Sequence, residues 1–207
     1  MRFAYHCGRR LPQYDFYLAI KPKTEQFRAR NAIVEAARQV NATWLLMLDD
    51  DMIVNPFVTQ GPTDEYALVE KLIAHGKDVC GALYYQRGGS CQPVLMSAVN
   101  ETGYRFLRPD ELTYGLQRVD VAGGGSLMIN MRVFDKIGAP YFEPEFQFGT
   151  DIQLCRKAAA AGFEIWADTS VELGHVRQDR AIITGRNRQQ YALEDPLSGE
   201  MKKQLVS

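Results

Sequence analysis

The sequence carries no excess of positive charge. Lys and Arg number 24 against 25 Asp and Glu, a formal net charge of -1 over 207 residues. Nonspecific nucleic-acid binding relies on neutralising phosphates, so no direct nucleic-acid binding is expected. Long apolar runs are also missing, and none approaches the ~20 residues of a membrane-spanning helix. The opening Met1-Arg2-Phe3-Ala4-Tyr5-His6 has no apolar signal-peptide core. Cysteine is scarce: Cys7, Cys80, Cys91 and Cys155 form no Cys-x-x-Cys pair, which argues against a structural zinc site. Cys80 in an apolar run and Cys155 among alanines read as small buried hydrophobes. A reducing, cytoplasmic setting fits them, with any membrane association peripheral. There is no internal repeat, no low-complexity tract and no linker. What is present is a 46% hydrophobic chain of a length that suits one domain.

The periodicity alternates between strand and helix. Tyr14 to Ile20 is an apolar, aromatic-rich run that predicts a strand. Ala29, Ala32, Ile33, Ala36, Ala37 and Val40 form one apolar stripe, predicting a helix from Arg28 to Val40 that Asn41 ends. Trp44 to Leu48 predicts the next strand, so strand, helix and strand make a right-handed parallel crossover. A helix starting at Thr63-Asp64-Glu65 and stopping at Gly76 follows, then a strand from Val79 to Tyr85. Short strand-like runs occupy Pro93 to Val121. Ser126 to Asn130 reads as a strand, Arg132 to Ile137 as a helix, Asp151 to Ala161 as a second clear helix, and Phe163 to Ala167 as a strand.

Four features suggest chemistry. The strand Trp44 to Leu48 runs into Asp49-Asp50-Asp51. Carboxylates there sit at the carboxyl edge of a sheet, where open α/β folds bind ligands. Three close carboxylates repel one another, and a hard divalent cation relieves that repulsion. Alone, the triplet also reads as a solvated acidic turn. Gly123-Gly124-Gly125 suits either close approach of backbone to a ligand or a sharp turn. Asp151, at a helix start, reads as an N-cap or as a base at a cleft. His175 reads as structural or as a metal ligand.

In order, these stretches resemble the GT-A-fold glycosyltransferases, family-2-like enzymes with an Asp-x-Asp motif. The resemblance runs from residue 14 to 175. It rests on Arg30-Asn31 through Asp49-Asp50-Asp51-Met52, on Ala122-Gly123-Gly124-Gly125-Ser126, on Phe148-Gly149-Thr150-Asp151-Ile152, and on Gly162 through Gly174-His175. It implies a Rossmann-like α/β fold: a mostly parallel sheet flanked by helices, plus a smaller, partly antiparallel acceptor-side sheet. One domain over 1–207 is expected, with a donor half at 1–92, an acceptor and catalytic half at 93–175, and a tail at 176–207 closing over the site.

The resemblance further implies transfer of a sugar from a nucleotide-diphosphate sugar, UDP ahead of GDP, to an acceptor hydroxyl. The acceptor would be a glycan, a lipid-linked sugar, a small molecule or a modified nucleobase. Asp51, with Asp49 and His175, would hold Mn²⁺ or Mg²⁺. Asp49, Asp50 and Arg28 or Arg30 would contact the nucleotide sugar, and Gly123, Gly124 and Gly125 would bring backbone amides to the sugar. Asp151 would be the catalytic base of an inverting reaction. The aromatics Tyr84, Tyr85, Tyr104, Phe106 and Tyr114 are candidates for stacking on sugar, and an arginine among Arg177, Arg180, Arg186 and Arg188 for closing over the diphosphate.

The match departs from the family twice. Only thirteen residues precede Tyr14, where the family has a further strand and helix that hold the base. Met1 to Tyr5 is read as an abbreviated substitute, or a neighbouring chain completes the site in a homodimer. The acid that usually precedes the catalytic aspartate is Thr150. Alternatives are a retaining transferase of the same fold, a nucleotidyltransferase, or an inactive relative that binds sugar or nucleotide.

Overall fold

In the computed structural model, residues 7–21, 24–54, 66–100, 103–143 and 149–194 are described. Met1 to Tyr5, Thr63 to Glu65 and Phe148 lie outside them. Helix α1 (Gln26–Gln39) buries Arg30, Val34 and Ala37, one stripe at helical spacing. Asn41, at φ 51°, closes it in the left-handed conformation that asparagine tolerates. Strands β1 (Trp44–Leu48) and β2 (Met52–Val54) flank the three aspartates. Then come α2 (Tyr66–Ala74), β3 (Val79–Leu83), β4 (Leu95–Ala98), β5 (Tyr104–Phe106), a 3₁₀ turn at Pro109–Glu111, β6 (Leu116–Val119) and β7 (Val121–Ala122). The chain continues through β8 (Ser126–Asn130), α3 (Met131–Ile137), α4 (Thr150–Ala160), β9 (Ile165–Val176), β10 (Ile182–Ile183) and α5 (Arg188–Glu194). No helix among the described residues is long and apolar enough to cross a membrane.

The large sheet runs β1-β8-β3-β9-β10, with β2 and β6 also paired to β9; β5-β4-β7 form a small antiparallel sheet. Side chains alternate across the large sheet, as a two-period strand requires. Val79, Leu83, Leu127 and Ile129 join the core under α1, α3 and α4. Cys80, Ala82 and Met128 join the core under α2. Both faces are therefore covered by helices. All four cysteines are buried, and burial pushes the Cys80 and Cys155 thiols up to about 12.

The α/β architecture and the second small sheet are as the sequence implied. The strand directions are not: among the described residues β3–β9 is the one parallel pair in the large sheet, and the other pairings are antiparallel. The expected strand at Tyr14 to Ile20 is also absent. Residues 15–20 make no ladder, and Tyr17, Leu18 and Ile20 are 68%, 55% and 64% exposed. A strand needs a neighbour to bond, and apolar content alone does not supply one. Only Phe16 of this run packs against a core. So β1 ends the sheet's order, and the parallel crossover from Tyr14 to Leu48 does not form.

Strand β9 organises the rest. Its first part pairs with β3 and β6 as far as Asp168. The register with β3 then jumps, from Ala82 opposite Asp168 to Leu83 opposite Glu172. In that bulge the Thr169 amide and hydroxyl both bond the Gly115 carbonyl, at 2.9 and 3.0 Å. Beyond it, β9 pairs with β2 on one side and β10 on the other, so Met52 and Ile183 both lie opposite His175. Buried Asp168 anchors the bend. Its Oδ2 accepts from His75 Nε2 at 2.8 Å, and its Oδ1 accepts from the Ser170 amide and hydroxyl at 2.9 and 2.6 Å. Burial alone would raise the Asp168 carboxyl, but the His75 and Ser170 hydrogen bonds outweigh it and hold it below its ordinary value.

A carboxylate held low adds stability above its unfolded pKa of about 3.9 and loses that as pH falls through its folded value. His75→Ala should therefore cost about 1–3 kcal/mol in denaturant unfolding at neutral pH. The gap from the parent should narrow as pH falls through the depressed value at which folded Asp168 takes up its proton. A gap independent of pH would mean that the hydrogen bond to the Asp168 carboxylate is not its source.

Candidate active site

Strand β1 ends at Leu48, opposite Ser126 at the start of β8. That register sets Asp49 beside the glycine run, and the Asp49 amide donates to the Gly125 carbonyl at 3.1 Å. The chain turns, with the Met52 amide on the Asp49 carbonyl at 3.2 Å, and enters β2 alongside His175. The Val176 amide then donates to the Asp51 carbonyl at 2.9 Å. Backbone pairing thus brings the acidic turn to His175, and two groups of side chains result.

The inner group centres on Arg30, which is 5% exposed. Its Nη1 donates to Thr150 Oγ1 at 2.6 Å and pairs with Asp151 Oδ1. Its Nη2 lies 3.7 Å from Asp49 Oδ1 and makes no hydrogen bond of its own. The guanidinium carbon sits 5.8 Å from the centre of the Phe142 ring. Burial would weaken the Arg30 charge, but Asp151 and Asp49 more than offset it and keep the guanidinium protonated. Burial pushes the Asp49 carboxyl above its ordinary value, against the pull of Arg30 and with the push of Asp151, Asp51 and Asp50. Helix α4 begins at Thr150 with Gly149 as its N-cap, so Asp151 is in the first turn rather than at the cap. There the helix dipole favours a carboxylate.

The glycines are packed against this group. A Cβ on Gly124 would sit 2.5 Å from Arg30 Nη2 and 2.7 Å from Asp151 Oδ1. One on Gly123 would run into the Tyr84 hydroxyl. That hydroxyl accepts from the Gly125 amide at 3.1 Å, and burial raises it so that it keeps its proton.

The outer group is Asp51, His175 and Arg87. His175 Nδ1 donates to the Tyr85 carbonyl at 2.8 Å, since a carbonyl can only accept. In the neutral ring, Nε2 therefore carries the lone pair, and it lies 3.4 Å from Asp51 Oδ2. Arg87 Nη1 reaches the same oxygen at 2.5 Å. The Tyr84 ring meets His175 edge-on, centres 5.5 Å apart. A lone pair facing a carboxylate oxygen suits a shared cation, and a backbone carbonyl on Nδ1 is what fixes a ligating histidine. The donor set fits a divalent cation that takes its remaining ligands from phosphate and water. Among the described residues, no three His, Cys, Asp or Glu side chains are gathered as a metal site. Asp49, expected with Asp51 and His175, lies on the Arg30 side.

Other expected residues fall apart from these groups. Arg28 is exposed and pairs with Glu25 at 3.0 Å, about 200° around the helix from Arg30. Asp50 is exposed. Tyr84 and Tyr85 are buried rather than open for stacking, while Tyr114 is 87% exposed. Arg188 lies over the Tyr85 ring and Arg177 over Tyr191, at 5.5 and 5.1 Å. Three contributors were not foreseen from sequence in these roles. They are Arg87, Tyr84 as a backbone acceptor, and Asn31, whose Oδ1 takes the Tyr141 and Phe142 amides at 3.1 Å each. A polar asparagine inside an otherwise alanine-rich helix was the available signal for the last.

No family model matches the chain, and no curated protein matches it. Solved structures do. A197 from STIV shares 17% identity at a TM-score of 0.53, over 88% of this chain and 86% of that one. GalNAc-T7, solved with UDP, GalNAc and Mn²⁺, shares 16% identity at a TM-score of 0.50, over 76% of this chain and 31% of that one. An apo UDP-glucose pyrophosphorylase, at 9% identity and a TM-score of 0.43 over 86% of this chain and 62% of that one, is too loose a match to weigh. The likeness is one of fold: a GT-A-like α/β architecture.

Gly124→Ala should cost about 1–3 kcal/mol in thermal or denaturant unfolding, the usual penalty for overpacking against groups that cannot move away. Gly8→Ala is the control, because nothing lies within 4 Å of its built Cβ. Equal stability of the two variants would show that the Gly124 pocket is not closed by Arg30 and Asp151.

Proposed function

We propose that the chain is a metal-dependent glycosyltransferase that moves a sugar from a nucleotide-diphosphate sugar, UDP ahead of GDP, to an acceptor hydroxyl. The observation that carries this reading is the Asp51–His175 pair. It is set at the carboxyl end of β1 with the imidazole tautomer fixed by Tyr85. Asp51 and His175 would hold Mn²⁺ or Mg²⁺, and such a cation supplies Lewis-acid stabilisation of the departing nucleoside diphosphate. The likeness to a fold solved with UDP, GalNAc and Mn²⁺ supports the same reading.

The chain's own residues divide the remaining work. Asp49 stands between the glycine loop and Arg30, where it would meet the ribose or sugar. Asp151 faces the same space as the base that takes the acceptor proton while the anomeric centre becomes oxocarbenium-like. Its ion pair with Arg30 falls on Oδ1, which leaves Oδ2 for that proton. The hold of Arg30 on Asp151 favours a second reading, in which transfer is retaining and Asp151 is a positioning residue. Residues 1–92 would form the donor half and 93–175 the acceptor half.

Calorimetric titration of UDP and GDP, with and without Mn²⁺, tests the donor site. Binding of one nucleotide that depends on Mn²⁺ is expected, and Asp51→Ala should abolish it. Asp151→Asn should leave that binding intact and lower transfer by about 10²–10⁴-fold if it is the base. Absence of nucleotide binding under all conditions would overturn the proposal.

A further inference from the structure

Asp51 Oδ2 has two claimants. Arg87 Nη1 donates to it at 2.5 Å, and His175 Nε2 lies 3.4 Å from it on another side. Arg87 sits in a short loop between β3 and β4 whose neck is closed on both strands. The Gln86 amide donates to the Gln92 carbonyl at 2.9 Å, and the Gln92 amide to Gln86 Oε1 at 3.2 Å. Gly89 and Cys91 take positive φ, 64° and 46°, and the Cys91 amide bonds the Gly88 carbonyl at 3.3 Å. The loop's base is thus tied down, with Cys91 buried, while the Arg87 side chain is 52% exposed. An ion pair with that much water around it is weak and readily exchanged.

We propose that Arg87 is the resident counter-ion of Asp51 and a donor-binding residue. It holds the carboxylate beside His175 while no donor is bound. It then releases Asp51 to a divalent cation and pairs with the diphosphate oxygens instead. The inference rests on the donor-site reading above. Three observations carry it. The guanidinium occupies the oxygen that a cation shared with His175 would need. The charge of Arg87 would be left without that partner once Asp51 is taken. And its forked donors match phosphate oxygens, which the same cation would bring within the loop's neighbourhood.

The two halves of the exchange move in opposite directions when Arg87 is removed, which a merely structural residue would not do. Arg87→Met should bind Mn²⁺ alone about two- to fivefold more tightly, the range over which an exposed ion pair competes. The same variant should bind UDP about tenfold more weakly in saturating Mn²⁺, for loss of a charged hydrogen bond. Arg87→Lys should recover both affinities in part. Asp51→Asn, added to either background, should abolish Mn²⁺ uptake. All are measured calorimetrically on the full chain, with Mn²⁺ and then UDP as the probes. If Arg87→Met binds Mn²⁺ and UDP as the parent does, Arg87 has no part in the site and the inference fails, while the donor site stands. If parent and variant alike take up neither Mn²⁺ nor UDP, the donor site fails and the inference falls with it.

Discussion

The buried guanidinium of Arg30 is the point on which the site depends. A charge taken that far from water is tolerated only when counter-charges and acceptors surround it. The partners of Arg30 come from two separate stretches: Asp49 beyond β1, and Thr150 with Asp151 at the start of α4. Satisfying one side chain on α1 therefore fixes where a strand ends and where a second helix begins. The glycine run is part of the same arrangement, because the space a Cβ would fill at Gly124 is taken by Arg30 and Asp151. The acidic residues are in this view placed by folding energetics before any ligand is considered. That is how electrostatic preorganisation is achieved without a ligand to pull the groups together.

The outer group is built differently. Asp51 and His175 are set by backbone ladders, through the β2–β9 register and the Val176 amide on the Asp51 carbonyl. The bulge at residues 169–171 lets one long strand serve two sets of neighbours, and it swings His175 out to the acidic turn. The side chains that meet there are more accessible than Arg30, and their pairings are exchangeable. A buried arginine that holds geometry stands beside an outer pair whose own arginine, Arg87, is exposed and can trade partners. Tyr84 joins them, with its hydroxyl on the Gly125 amide and its ring against His175.

How much of this could be read from the residues depended on the range of the forces involved. Trp44–Leu48 and Ser126–Asn130 were expected at their observed bounds, because a short apolar run between turn signals has one comfortable conformation. Tyr14 to Ile20 has the same local character and forms no strand, because a ladder is a property of two segments and only one can be inspected. Strand direction fails for the same reason. The β1–β8 antiparallel pairing depends on where the chain returns after eighty residues, and no local pattern encodes that return. Among the candidate residues, Asp51, His175 and Asp151 stood out by residue type, and the structure sets Asp51 beside His175 and Asp151 beside Arg30. Arg28 and Arg30 could not be told apart in sequence, yet two residues on a helix separate an exposed side chain from the buried pivot. Arg87 carried no signal, since an arginine beside two glycines looks like any solvated loop.

On the proposed reading, the composition of the outer group also bears on the order of binding. Asp51 and His175 are two protein ligands where a divalent cation takes six or more, and Asp49 is already drawn toward Arg30. Two ligands, one of them shared with an arginine, make a weak site for a cation alone. The missing coordination must come from phosphate oxygens and water, so cation and nucleotide reinforce each other's binding, each supplying what the other lacks. Arg30, 5% exposed, is far less open to such an exchange than Arg87. Selectivity for a diphosphate then resides in the outer cluster and the Arg87 loop.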